Sequence, residues 1–235
     1  MNVTFLYHSA FLVELETCSL LFDWYGGTPP EIDRSKPLYV FASHHHGDHY
    51  SPEIFSAFGM ESTWYILGSC IRLSARRKAA LGIDEDHVFR LGGGRTLTVN
   101  DLRVTTLTST DAGVAFLVEA EGKTLYHAGD LHWWHWEGEP GTWNQDMERD
   151  FKRYTAPLNG RTIDAAFLVL DPRQEGDYWL GFDWTMRHAQ IRRAFPMHSW
   201  EEFSLIRQFK RDPVSAPYRD RVVEIYYNGQ TFNLP

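Results

Sequence analysis

The residues with the most evident chemistry lie in one short segment, Ser43-His-His-His-Gly-Asp-His49, where four imidazoles and a carboxylate crowd a single turn. Imidazole and carboxylate are the borderline and hard donors that Zn²⁺, Mn²⁺ or Fe²⁺ accept. His44 and His46 alternate along an extended chain and so point the same way, with His45 pointing elsewhere. Gly47 is expected to permit the bend that brings Asp48 and His49 back beside the first pair. A polar loop that merely caps a helix would not concentrate histidines, because clustered imidazoles repel once protonated near pH 6.5. The segment therefore predicts a metal site.

Further polar residues stand at the ends of strand-like runs. Ala128-Gly-Asp130 follows Thr124–His127 and leads into Leu-His-Trp-Trp-His-Trp136, which places His132, Trp133, Trp134, His135 and Trp136 close by. Some of these aromatics are expected to wall a substrate pocket, His132 and Trp133 first among them; with nine Trp in the chain, core packing competes as a role. Arg173 in Asp171-Pro-Arg173 is a candidate for a substrate carboxylate or phosphate, or else a solvated loop residue.

The elements that must position these groups read as short β-runs in the first half: Val3–His8, Phe11–Glu16, Leu20–Trp24, Leu38–Ser43, Trp64–Leu67, Leu102–Thr108, Gly113–Glu119 and Thr124–His127. Ser51-Pro52 predicts a helix start directly after the histidine segment. A second helix is expected over Cys70–Leu81, stopped by Gly82. Thr142 and Gln145 resemble a capping box ahead of Trp143, Met147, Phe151 and Tyr154 at helical spacing. Later come strands at Ile163–Leu170 and Ala194–Met197, helices over Thr185–Arg193 and Trp200–Lys210, and a hairpin of Val222–Tyr227 with Gln230–Leu234 about Asn228-Gly229. With no linker-like stretch, residues 1–235 read as a single α/β domain.

Composition narrows the function. Lys and Arg number 23 against 31 Asp and Glu, a net charge of −8, which disfavours nucleic acid and anionic membranes and leaves a small-molecule substrate as the expected partner. No apolar run is long enough to span a bilayer and the start lacks a secretion signal, so a cytoplasmic protein is expected. Cys18 and Cys70, far apart, are expected to be small buried hydrophobes. Nothing in the sequence speaks to oligomeric state.

His44-x-His46-x-Asp48-His49 on a strand-loop-helix resembles the first signature of the metallo-β-lactamase superfamily, and the Gly129-Asp130 pair and His198 fall where that superfamily has later ligands. His8-Ser9 and Leu20–Asp23 look like the opening hairpin of its lactonase-like members. The resemblance implies a four-layer αββα sandwich. It also implies His44 and His46 at metal 1, Asp48, His49 and His198 at metal 2, and Asp130 bridging the two. Asp23 would then orient a metal-binding histidine or cap a turn, and His8 would line the mouth of the site.

One ligand of that pattern is missing. The superfamily's third metal 1 histidine falls in Thr108-Ser-Thr-Asp-Ala-Gly113, which has no histidine, so Asp111 is the candidate replacement or else a turn residue. The expected cofactor is one or two Zn²⁺, with Mn²⁺ or Fe²⁺ as alternatives, above all at metal 1. The expected activity is hydrolysis of a small ester, lactone or phosphodiester by a metal-activated hydroxide, with Asp48 steering or accepting the proton. Two alternatives stand beside it: a phosphodiesterase for small RNA or cyclic nucleotides, and a non-enzymatic metal-binding or sensing domain with a depleted metal 1 site.

Overall fold

The computed structural model describes residues 1–235. In chain order the elements are β1 (Asn2–Tyr7), β2 (Ala10–Glu14), β3 (Ser19–Phe22), β4 (Leu38–Ala42), α1 (Glu53–Phe58), β5 (Thr63–Gly68), α2 (Ala75–Ala80) and β6 (Val88–Leu91). They continue with β7 (Thr96–Val99), β8 (Leu102–Thr108), β9 (Val114–Ala120), β10 (Lys123–His127), α3 (Gly141–Thr155), β11 (Thr162–Val169), α4 (Leu180–His188), β12 (Gln190–Met197), α5 (Phe203–Arg211) and β13 (Gln230–Asn233). The chain divides into two compact units, residues 1–92 with 228–235, and residues 93–227.

The first unit is built on a seven-stranded sheet in the order β13-β1-β2-β3-β4-β5-β6. Strands β3 to β6 run parallel, and β4 has a neighbour on each side. A parallel strand covered on both faces should be apolar throughout, and every residue of Leu-Tyr-Val-Phe-Ala in β4 is buried. Ile54, Phe55 and Phe58 of α1 pack with Val40, Leu67 and Tyr65 in the core. Gly68 closes β5 against the end of β4, so tightly that a Cβ there would stand 2.1 Å from the Ser43 carbonyl oxygen.

The second unit carries a six-stranded sheet in the order β12-β11-β10-β9-β8-β7, antiparallel from β7 to β10 and parallel from β10 to β12. The parallel register sets Val169 beside Met197, so the residues just beyond these two strands emerge side by side. Phe151 of α3, Phe182 of α4 and Leu205, Ile206 and Phe209 of α5 are buried.

Several elements depart from expectation. The helix expected over Cys70–Leu81 is only α2, because Ser74 caps it: its Oγ accepts the Arg77 N–H at 3.3 Å. Helix α3 starts after Pro140, whose carbonyl accepts the Trp143 and Asn144 N–H groups, and Thr142 is not its cap. The helix expected to end at Arg193 stops at His188, and Gln190–Arg193 instead extend β12 along its parallel neighbour. Residues 222–227 form no strand beyond one bridge from Val222 to Ala194, and β13 pairs antiparallel with β1 rather than folding back in a hairpin. Strands β6 and β7 were not expected. Cys18 is buried as expected, but Cys70 is only half-buried. No helix is long and apolar enough to cross a membrane.

Candidate metal centre

In the first unit the histidine segment leaves the apolar end of β4 and turns where His46 O accepts the His49 and Tyr50 N–H groups. Gly47 does not take a left-handed φ in this turn, contrary to the role expected of it, so the bend would accept other residues. Asp23 is the first residue past β3, at φ 45. Its buried carboxylate accepts the Ser43 N–H at 2.7 Å and the Ser43 hydroxyl at 2.7 Å, and lies 2.7 Å from His49 Nδ1. That contact puts the His49 proton on Nδ1 and the lone pair on Nε2. The Ser43 hydroxyl, committed to Asp23, receives Nδ1–H of His44 at 2.9 Å, so His44 also presents Nε2, 3.0 Å from His46 Nδ1. A single carboxylate thus sets two imidazoles as bases, His49 directly and His44 through Ser43. His45 is exposed, its ring edge-on to that of His46 at 5.0 Å between centroids.

His8, at the turn between β1 and β2, is buried, with Nε2 3.5 Å from Asp48 Oδ2. A donor atom from each of His8, Asp48 and His49 lies within 4.8 Å of the others.

In the second unit Asp130 follows β10, with Gly129 at φ 50 turning the chain. His198 follows β12 at φ 63, and its Nδ1 lies 2.8 Å from Asp171 Oδ2, a pairing that again leaves Nε2 as the lone-pair nitrogen, here 3.5 Å from Asp130 Oδ1. Burial alone would raise the Asp171 carboxyl, but the hydrogen bonds from His198 and Arg173 outweigh it and hold the group well below the usual carboxylate range. Arg173 reaches Asp171 through Nε and Nη2 and lies over Trp200, 4.8 Å from the ring centroid. Its guanidinium is thus engaged in positioning Asp171, beside its expected role toward substrate. Carboxylate oxygens of Asp111 and Asp130 approach within 4.8 Å, Asp111 being exposed and Asp130 buried.

The aromatic run divides. Trp134 donates from Nε1 to the Asp130 carbonyl at 3.1 Å, stands edge-on to His198 and stacks on Trp136. His132 turns inward: it pairs with Gln174 Oε1 at 2.7 Å and rests on Gly181, and burial lowers its pKa to about 4. Trp133 lies under Lys152 of α3 beside Trp184 of α4. In this unit, then, His132 packs inward and Trp133 against Lys152 and Trp184, while the rings edge-on to His198 are Trp134 and Trp200, with Trp136 stacked on Trp134. Asp171 escaped sequence reasoning as an orienting group, its one signal being its place just past a parallel strand.

The donor sets fit a divalent ion. Two atoms bound to one tetrahedral ion at about 2.0–2.1 Å stand roughly 3.3 Å apart. The 3.5 Å spacings of His8 with Asp48 and of His198 with Asp130 match that edge better than a charge-assisted hydrogen bond of about 2.7–2.9 Å. Carboxylates behind His49 and His198 are what metal-binding imidazoles ordinarily carry.

A family model described as a beta-lactamase superfamily domain matches residues 2–136, more than half of the chain. The chain belongs to this superfamily. A "UPF0173 metal-dependent hydrolase" of Desulforamulus reducens is 32% identical over 146 residues, covering 55% of this chain and 62% of that protein. The chain spans about 60% of the length of the curated relatives it matches first. A relative of the same name in Pyrobaculum calidifontis is 26% identical over 227 residues, covering 90% of this chain and 89% of its own. The superfamily's architecture is seen also in the metallo-beta-lactamase fold protein YhfI of Bacillus subtilis, at a TM-score of 0.61 and 14% identity over 98% of each chain. The α/β metallo-β-lactamase fold expected from the sequence is thus the fold of this chain.

Proposed function

We propose that this chain is a metal-dependent hydrolase acting on a small ester, lactone or phosphodiester. The observation that carries the proposal is the orientation of the histidines: Asp23 fixes His49 directly and His44 through Ser43, and Asp171 fixes His198, each with Nε2 as the lone-pair nitrogen. Such support has a clear use where imidazoles hold an ion. The name borne by the relatives, metal-dependent hydrolase, agrees with it.

In this reading His44, His46 and Asp111 serve one ion, Asp48, His49 and His198 a second, and Asp130 both. Zinc suits the imidazole-rich second set, and manganese or iron(II) the more oxygen-rich first. When bound, the ions supply Lewis acidity and lower the pKa of water to near neutrality. The chain's own residues do the rest. Asp48, half-buried beside His8, steers or accepts the proton, while Trp134, backed by the stacked ring of Trp136, keeps an apolar wall beside Asp130 and His198.

The test is elemental analysis after expression with zinc, manganese or iron, followed by a panel of esters, lactones and phosphodiesters with wild type and Asp48→Asn. We expect at least one transition metal per chain and turnover of a small substrate that Asp48→Asn loses. A metal-free protein would overturn the proposal. Metal without turnover would favour a metal-binding or sensing domain, and salt-sensitive cleavage of structured RNA would favour a nuclease.

A further inference from the structure

We infer that His8 is itself a metal ligand, closing with Asp48 and His49 a three-donor set within residues 1–92. The inference rests on the metal-centre reading above and adds to it a residue expected only to line the mouth of the site.

The first support is backbone conformation. His8 and Ser9 are the two residues between Tyr7 and Ala10, which face each other as β1 turns into β2. Position 8 is left-handed, at φ 44, while Ser9 is not. A hairpin whose first central residue alone has positive φ favours glycine there, because a Cβ crowds the backbone. Hairpin closure gives no reason for histidine, and strained residues of this kind are kept where the surroundings use the side chain.

The second support is where that strain delivers the ring. The imidazole is buried, edge-on to the His49 ring at 5.6 Å between centroids, with Nε2 3.5 Å from Asp48 Oδ2. His8, Asp48 and His49 converge within 4.8 Å. Two imidazoles and one carboxylate form a donor set for Zn²⁺, Mn²⁺ or Fe²⁺ that leaves coordination positions open. The segments bearing it are the β1–β2 turn and the loop after β4.

The experiment compares wild type with His8→Asn and His8→Gly, residues that tolerate the left-handed backbone but cannot reach the ion. Zinc affinity is measured by competition with a chromophoric chelator, and Co²⁺-loaded protein is examined by NMR for paramagnetically shifted, exchangeable imidazole N–H signals. Each histidine bound through Nε2 contributes one such signal from Nδ1–H. We expect both variants to lose one signal and to bind zinc at the tighter site roughly 100-fold more weakly, a loss at the upper end of that seen when metal support is removed. Chelator-treated protein should melt as a cooperative fold in all three cases. Unchanged affinity and an unchanged signal count in the variants would overturn the role of His8 and leave the metal centre standing. Failure of wild type to take up zinc or cobalt would overturn both.

Discussion

Asp23 and Ser43 act as one unit: the carboxylate takes both the backbone N–H and the hydroxyl of the serine, each at 2.7 Å, and so fixes the strand end from which His44 departs. The same carboxylate holds His49. Replacing it with its amide, Asp23→Asn, keeps the shape but puts an N–H₂ where acceptors are needed. Zinc affinity should fall on the order of 10- to 100-fold, as for other losses of support behind a metal-bound histidine, measured by chelator competition. An unaltered affinity would mean that Ser43 and His49 are held by packing alone.

Gly68 should tolerate no side chain. A Cβ would stand 2.1 Å from Ser43 O and 3.1 Å from Ser43 C, both backbone atoms that cannot swing aside. Gly68→Ala should therefore cost about 1–3 kcal/mol and displace the His44 strand end, weakening zinc binding as well as lowering the melting temperature. Normal zinc affinity in a destabilised variant would show that the displacement is absorbed elsewhere.

His132 should make the metal-free protein acid-sensitive. Burial lowers its pKa to about 4, against about 6.5 in the unfolded chain, so the unfolded state takes up the proton first as pH falls. Its contribution is fully present above about pH 6.5 and is lost toward pH 4, a change of about 3 kcal/mol. Urea unfolding of chelator-treated protein at pH 7 and pH 4 should show this loss, and His132→Gln should reduce it. Equal pH dependence in the two proteins would assign the sensitivity to other groups.

Asp111 is exposed, so Asp111→Ala should leave stability within about 0.5 kcal/mol of wild type. If it stands in for the missing histidine, metal content should drop to about one per chain and turnover by roughly 10- to 100-fold. Full metal content with undiminished turnover would make it a turn residue only.

How much of this was legible follows from the range of the signals. The segment from Ser43 to His49 is local, and its residue types announce ligands without knowledge of the fold. Strands with clear alternation or an apolar run, such as Leu102–Thr108, lie where their residues place them. Gln190–Arg193 misled because two adjacent arginines suit an exposed helix, whereas here strand pairing with Thr162–Ala165 decides. The orienting contact of Asp171 with His198 was hidden for a related reason: it follows from parallel register, which no local pattern states. Nor does sequence reveal that His8, Asp23 and His198, each the first residue past a strand, share a left-handed backbone, because such residues carry no glycine to mark them.

The strand that flanks β1 on its outer side is β13, which comes from the far end of the sequence described. Met1 donates its amine to the Leu234 carbonyl, and Asn2 to Phe5 pair with Asn233 to Gln230. The outer edge of β1 therefore stays open until this sequence-distant strand has been made and has docked. During that interval the nascent sheet offers a row of unsatisfied amides and carbonyls to any neighbouring nascent chain. Deleting β13 should consequently bare that edge and lower the soluble fraction on expression, whereas unchanged solubility would show that the edge is protected without it.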